Sequence, residues 1–553
     1  MKPITQNTLF YGDNLPIMRE YIPDESIDLV YLDPPFNSNR SYNVLFRDES
    51  GRASDAQLIA FDDTWHWGKT AEETYYEIIT QSPLHITKLI NSLRDFIGTN
   101  QVMAYLVMMT IRLVELHRVL KPTGSIYLHC DPTASHYLKV ILDTIFGSEN
   151  FRNEIVWMRT TSKGLMTRRL PTNHDILFFY TKTTGYIWKE NAMFRPYDMS
   201  NLDVKTTKKY SLKDPDGRLF QLTDLTNPNP DRPNLTYEFL GVTKVWRWTE
   251  ERMQAAYDAG LIVQPRPGAV PRLKRYLDEQ RGKPLGDVWT DIPPINSQAA
   301  ERLGYPTQKP LELLGRIITT NSNPGDCVLD PFCGCGTTIA AAQKLDRRWI
   351  GIDITHLAIS LQKYRLKDMF NLSASKDYQI IGEPTSLGSA RQLAKDDPYQ
   401  FQWWALSLVK AKPLGGEMGG KKGRKGRDRG IDGELYFIDD PKGKLNTVLV
   451  QVKSGHVKPG DIRDLRGTVE RENAAIGVFI TLELPTSEME KEAVSAGYYF
   501  SDLWQEKYPK IQILTVEELL AGVQPQIPPS AQGAFKQAQR VKKKEGKQGE
   551  LGI

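Results

Sequence analysis

The chain has 553 residues, with 71 Lys and Arg against 67 Asp and Glu and a formal net charge of +4. Its length predicts about two to four domains at roughly 150 residues each, and a charge so close to balance does not by itself argue for a nucleic-acid partner. The N-terminus lacks the apolar stretch of a secretory signal and no apolar run approaches a membrane span. The four cysteines, Cys130, Cys327, Cys333 and Cys335, lack a second ligand cluster at zinc spacing, so reduced thiols in a cytoplasmic protein are expected.

Taken in order, residues 8–15 predict a strand that ends in a Gly-Asp turn before a helix. Asp13 thus lies at a strand end, as a helix N-cap or as a ligand. Ile27-Asp28-Leu29-Val30 reads as a buried strand, and it runs into Tyr31-Leu32-Asp33-Pro34-Pro35-Phe36. Prolines cannot continue a ladder, so the strand stops at Pro34 and delivers Asp33 at its carboxyl end. Open α/β sheets place their ligands there. A carboxylate, proline carbonyls free to accept and the flat ring of Phe36 suit a planar base held by its exocyclic amine. An ordinary turn would explain the same four residues, so the partners further along decide.

Residues 37–75 are polar and aromatic, including Phe61-Asp62-Asp63-Thr64-Trp65-His66-Trp67, and read as a long active-site loop. Val102 to Leu120 predicts an apolar helix that stops at Lys121-Pro122-Thr123-Gly124. Ser125–Cys130 is the next strand, Asp131-Pro132-Thr133 leads into a helix at 134–145, and Ile176–Tyr180 is a further strand. This alternation predicts a parallel, doubly wound α/β sheet. The stretch 160–300 breaks the rhythm. It is rich in proline and carries basic and aromatic residues together, as in Val245-Trp246-Arg247-Trp248 and Arg272-Leu273-Lys274-Arg275-Tyr276. Such a mixture suits DNA contact, and a solvated α+β insertion would show it too.

Tyr305-Pro306-Thr307-Gln308-Lys309-Pro310 precedes a helix, and Asp326–Asp330 is a strand followed by Pro331-Phe332-Cys333-Gly334-Cys335-Gly336-Thr337-Thr338. The glycines allow a tight turn and close approach of backbone to a ligand. Asp353 ends the following strand about 20 residues on, the spacing at which an acid meets a ribose. There is no GxGxxG and no lysine of a phosphate-binding loop. A nucleoside without phosphates fits better, and S-adenosylmethionine is one.

Residues 1 to about 370 resemble the amino-group DNA methyltransferases in the β arrangement. Asp33-Pro34-Pro35-Phe36 comes first, then an insertion, then Asp330 to Thr338. Tyr11-Gly12-Asp13-Asn14, Leu128-His129-Cys130-Asp131-Pro132-Thr133 and Tyr305 to Pro310 match in the same order. The resemblance implies catalysis by Asp33, Pro34, Pro35 and Phe36. It implies S-adenosylmethionine bound by Asp13, Lys309, Asp330, Phe332, Gly334, Gly336, Thr337 and Asp353. Double-stranded DNA is the implied substrate, with the target base flipped out. Asp before Pro-Pro points to adenine N6, with cytosine N4 as the alternative. A homodimer is compatible with the sequence, and no membrane partner is expected.

Residues 371–395 read as a linker. Tyr399 to Val409 predicts a helix, and 421–429 a basic loop facing either solvent or phosphates. Asp432 opens a strand, and alternation puts Gln451 and Lys453 on one face of the next. These residues resemble the Mrr-like restriction endonuclease core, Asp…Gln-x-Lys. That implies Mg²⁺ held by Asp432 and Gln451, with Lys453 orienting the attacking water. Gln400 and Gln402 stand in the first helix, where the family often carries Glu. Cutting is the favoured expectation, and a non-cutting DNA-binding appendage is the alternative. The expected division is a catalytic half at 1–160, a target-recognition insertion at 161–300 and a cofactor half at 301–370. After the linker at 371–395 come the nuclease domain at 396–525 and a disordered basic tail at 526–553.

Overall fold

A computed structural model describes residues 4–35, 41–47, 53–62, 67–160, 170–296, 299, 301–303, 305, 307–413, 431–439, 445–528 and 531–532. Phe36, the loop residues 63–66, the basic loop 421–429 and most of the tail lie outside the described residues.

The main sheet has nine strands. In chain order they are β1 (Thr8–Tyr11), β2 (Ile27–Leu32), β3 (Leu120–Cys130), β4 (Phe151–Met158), β5 (His174–Thr181), β6 (Val288–Trp289), β7 (Cys327–Asp330), β8 (Arg348–Asp353) and β9 (Gln379–Ile381). Their spatial order is β6-β4-β5-β3-β2-β7-β8-β1-β9. All six residues of β2 and all four of β7 are buried, which is why both read as continuous apolar runs. Asp28 is the exception inside β2. It is satisfied by Lys121 Nζ at 2.7 Å and by the Cys327 amide at 2.8 Å.

Helices cover both faces, so the doubly wound α/β reading holds. Gln101–Val119 packs Tyr105, Leu106, Met109 and Leu113 on one face. Leu311–Asn321 packs Leu313, Leu314 and Ile317 on the other. The sheet is not wholly parallel. Strand β5 runs antiparallel to both β3 and β4. Among the described residues no helix lies between β4 and β5, and an antiparallel neighbour needs no crossover.

Three segments differ from the sequence reading. The compact inserted unit spans Lys189–Gly286, shorter than the expected 161–300, and within those bounds β5, expected as a sheet strand, and β6 both belong to the main sheet. The segment read as a linker is ordered: β9 pairs with β1, and Leu387–Asp396 is a helix begun by a Ser386–Ser389 capping box. The long loop after Asp33 contains an antiparallel pair, Ser41–Arg47 with Ala53–Asp62, followed by the helix Lys69–Gln81.

The inserted unit has a four-stranded sheet and a core of Leu225, Phe239, Trp246, Met253 and Ile262. Trp246, read as a DNA-contacting aromatic, is fully buried, and its indole N–H donates to the Tyr237 carbonyl at 2.9 Å. Tyr276 is buried as well and pairs with Asp214. Arg272 and Arg275 stay exposed.

The C-terminal domain is a second, smaller α/β sheet. Its central strands Leu445–Lys453, Ile476–Thr481 and Ile511–Thr515 are parallel, and Gly433–Ile438 pairs antiparallel to the first of them. The predicted first helix is Pro398–Leu408, capped by Asp397.

Candidate active site

Four parallel strands, β2, β7, β8 and β1, lie side by side with their carboxyl ends at one edge. Each ends on an aspartate or within two residues of one. The edge therefore carries Asp33, Asp330, Asp353 and Asp13 around a cavity of about 340 Å³. Pro34, Pro35, Phe332, Gly334, Thr337 and Lys309 also line it, so the cofactor and target motifs of the sequence meet at one place. Gly336 N-caps the helix Thr337–Lys344 at its rim.

Asp33 has two unlike oxygens. Oδ2 is paired with Lys309, and both side chains are largely buried. Oδ1 is buried with no hydrogen-bond partner among the described residues. A buried acceptor left open is costly, and at a cavity wall it marks a place for a ligand donor. Lys309, expected to hold the cofactor, lines the cavity and pairs with Asp33.

Asp330 accepts from the Phe332 amide at 3.0 Å. Burial pushes its carboxyl up to about 7. Hydrogen bonds from Thr338 and Phe332 oppose the rise, and the charges of Asp33 and Asp353 add to it. Burial raises Asp353 too. Its oxygens accept from the Gly334 amide (2.9 Å) and from the amide and hydroxyl of Thr355 (2.9 Å each). Asp353 therefore clamps the glycine loop while lining the cavity.

The loop needs its glycines. Gly334 and Gly336 have φ of +48° and +73°, and a Cβ at Gly336 would meet Gln362 Cγ at 2.7 Å. From behind, Gln362 donates to the Gly334 carbonyl at 2.7 Å, and Arg365 donates to the Cys335 carbonyl at 3.1 Å.

Asp13 fills both of its readings. It caps the helix Asn14–Tyr21 through the Leu15 amide, and it pairs with Arg112 at 2.8 Å while facing the cavity. Arg112 is a site residue that the sequence reading misses. Its signal is that of a lone charge between Val102 and Val114. It also donates to Asn14 Oδ1 at 2.6 Å, and Asn14 in turn donates to the Pro331 carbonyl at 2.8 Å. A second missed group lies beneath Asp33. Tyr31, which lines the cavity, bonds His129 Nδ1 at 2.8 Å, and His129 Nε2 reaches Asp175 at 3.2 Å. Burial alone would push Asp175 up, yet His129, Lys309 and Arg159 hold it below the usual carboxylate range.

The C-terminal domain brings its predicted residues near one another, but with the carboxylate of Asp432 and the amine of Lys453 already engaged. Asp432 Oδ1 accepts from Gln402 at 2.9 Å, and Oδ2 accepts from the Val452 amide at 2.7 Å. Lys453 is turned to Asp461 at 2.7 Å. Gln451 Oε1 is buried with no hydrogen-bond partner among the described residues. Among those residues, no three His, Cys, Asp or Glu side chains converge as metal ligands.

Residues 27–363 match the family described as DNA methylase (N6_N4_Mtase). This is more than half of the chain, and the chain belongs to that family. It is 28% identical over 389 residues to the Type II methyltransferase M.EcaI of Enterobacter cloacae, covering 68% of this chain and 74% of the relative. It is 23% identical over 393 residues to the DNA adenine methyltransferase YhdJ of Escherichia coli (strain K12), covering 71% of this chain and 93% of the relative. Among solved structures, TTHA0409 of Thermus thermophilus complexed with S-adenosyl-L-methionine aligns with a TM-score of 0.32 and 16% identity, over 68% of this chain and 99% of that one.

Residues 412–521 match the family described as NACHT-associated inactive Restriction Endonuclease 1. The expectation of an Mrr-like, Mg²⁺-dependent nuclease is corrected accordingly. The domain is restriction-endonuclease-like, but its first-helix position holds Gln402, which occupies Asp432 as a donor where a Glu would have added a metal ligand.

Proposed function

We propose that this DNA methylase transfers a methyl group from S-adenosylmethionine to the N6 amine of adenine at a specific site in double-stranded DNA. The carrying observation is the open, buried Oδ1 of Asp33 at the wall of the cavity. An exocyclic amine is a poor nucleophile, because its lone pair is delocalised into the ring. Donation of its N–H groups to Asp33 Oδ1 and to the Pro34 carbonyl favours a more tetrahedral nitrogen, which frees that pair for attack. The target nucleotide has to leave the helix for this, since its amine is paired inside the duplex. As the new C–N bond forms, the methyl–sulfur bond breaks and a neutral thioether leaves; the nitrogen sheds a proton, and Asp33 is the group placed to receive it. Positioning then supplies much of the acceleration.

The cavity suits the proposed cofactor. Its aspartates favour a cationic, phosphate-free nucleoside over a nucleotide, and the positive-φ glycines let backbone approach it closely. Phe332, Gly334, Gly336, Thr337 and Asp353 would hold it, with Asp13 and Asp330 at the edge. When bound, it supplies the electrophilic methyl. Lys309 holds Asp33 in place through Oδ2. In this reading the unit Lys189–Gly286 recognises the target sequence, using exposed cations such as Arg272 and Arg275.

Adenine is chosen because Asp, not Ser, precedes Pro34-Pro35, and because YhdJ, one of the similar proteins, is a DNA adenine methyltransferase. The matched family embraces both N6 and N4 amines. The test is methyl incorporation from labelled S-adenosylmethionine into unmethylated DNA, followed by nucleoside analysis. N6-methyladenine is expected. N4-methylcytosine would move the assignment to the other amine, and no incorporation would overturn it.

A further inference from the structure

We propose that the restriction-endonuclease-like domain buttresses the cofactor pocket from behind, with Trp403 as a positioning residue for the glycine loop. This rests on the reading of the cavity as the cofactor site. The helix Pro398–Leu408 has two faces. Phe401, Trp404 and Ala405 are buried in the core of its own domain. Gln400 and Trp403, three positions apart and so on one side of the helix, turn to the methylase sheet. Gln400 Oε1 accepts from the amide of His356, the first residue of the helix His356–Phe370. Trp403 is 4% exposed and packs in one cluster with Tyr305, Cys335, Leu357 and Leu361.

That cluster reaches the pocket directly. Tyr305 and Cys335 both line it. Tyr305 lies so close over the loop that a Cβ on Gly334 would stand 3.3 Å from its Cε1. Leu357 and Leu361 belong to the helix whose Gln362 and Arg365 hold the Gly334 and Cys335 carbonyls. Trp403 therefore backs both supports of the loop, the Tyr305 ring on one side and the helix on the other. A domain tethered only by a linker would bury no tryptophan there. With that indole removed, Tyr305 and the helix gain room, and the loop loses the fixed shape that close approach to a cofactor requires.

The test uses the full-length chain. Trp403→Ala should raise the dissociation constant for S-adenosylmethionine about tenfold. DNA affinity and the turnover rate at saturating cofactor should stay near wild type. Trp403→Phe should recover most of the affinity. Leu465→Ala alters a separate core cluster of the same domain and controls for a general loss of stability. It should lower the melting temperature while leaving cofactor affinity unchanged. A wild-type dissociation constant in Trp403→Ala, or an equal rise in Leu465→Ala, would overturn the proposal. Should Trp403→Ala fail to fold, Gln400→Ala removes one hydrogen bond and should raise the constant by about twofold to threefold; no rise would overturn the proposal. A wild-type chain that binds no S-adenosylmethionine would instead defeat the reading of the cavity itself.

Discussion

Two sheets in this molecule each set an aspartate beside a strand end, and each carries a lysine that its motif assigns to the site, Lys309 to the cofactor and Lys453 to catalysis. In the methylase sheet, Asp33 gives one oxygen to Lys309 and keeps the other open beside a cavity. In the C-terminal sheet, Asp432 gives one oxygen to Gln402 and the other to the Val452 amide, while Lys453 is drawn off to Asp461. The residue types are nearly the same, yet the first arrangement leaves a buried acceptor for a ligand and the second spends its carboxylate on structure. A motif names the atoms available for chemistry; what those atoms already touch decides whether chemistry remains for them.

The largest expected effect follows from the open oxygen. Asp33→Ala should lower methyl transfer by at least about 10³-fold, since it removes the group aimed at the reacting amine. Cofactor binding should change little, as measured by equilibrium dialysis with labelled S-adenosylmethionine. Transfer at the wild-type rate would end the assignment of Asp33. The corresponding change in the other sheet, Asp432→Ala, should leave transfer intact.

The next effect is a pH dependence of stability. Burial raises Asp330 to about 7 in the folded chain, well above its unfolded value. Below pH ~4 both states hold the proton. Between ~4 and ~7 the unfolded chain has released it while the folded chain keeps it, so stability falls as pH rises through this window and levels off above it. The full cost is roughly 4 kcal/mol. Asp330→Asn should flatten that slope in calorimetric melting temperatures, and an unchanged slope would assign it to other groups.

The two lysines offer a direct contrast. Lys309→Ala strands a buried carboxylate and should destabilise the methylase sheet by about 3 kcal/mol. Lys453 is 37% exposed in its pair with Asp461, so Lys453→Ala should cost less than about 1 kcal/mol. Equal losses of melting temperature would erase the difference drawn between the two sites.

Much of the methylase half is legible because its strands are buried on both faces and end at prolines or glycines. Periodicity and turn chemistry then locate Asp33, Asp330 and Asp353 without tertiary information. Strand β5 can be placed, but its direction cannot, because nothing in Ile176–Tyr180 encodes which way a neighbour runs. Trp246 misleads for a related reason: an aromatic beside cations looks alike whether it faces solvent or a small core. The segment 371–395 reads as a linker because its order comes from pairing with β1, a partner more than 360 residues away. Lys309 is recognisable, but its partner is not, since Asp33 lies 276 positions earlier. In the C-terminal domain, Gln402 stands out as a departure from Glu. That it donates to Asp432 is a fact of geometry that composition cannot carry.

That substitution yields a small effect and the sharpest comparison. Gln402→Glu replaces a donor to Asp432 with a second carboxylate, so the bond is lost and two negative charges meet. Without divalent cations the variant should lose roughly 1–2 kcal/mol of stability. The new carboxylate, together with Asp432 and the unpartnered Oε1 of Gln451, would present three hard oxygen donors, the kind that Mg²⁺ and Ca²⁺ select. Millimolar Mg²⁺ should therefore restore the melting temperature of Gln402→Glu and leave wild type unmoved. If Mg²⁺ instead shifts the wild-type melting temperature and the wild-type chain nicks unmethylated plasmid, Asp432 has an open coordination site after all. The two aspartates would then differ in degree only. If Mg²⁺ rescues the variant alone, a single amide in the first helix is what separates this domain from a metal-binding relative.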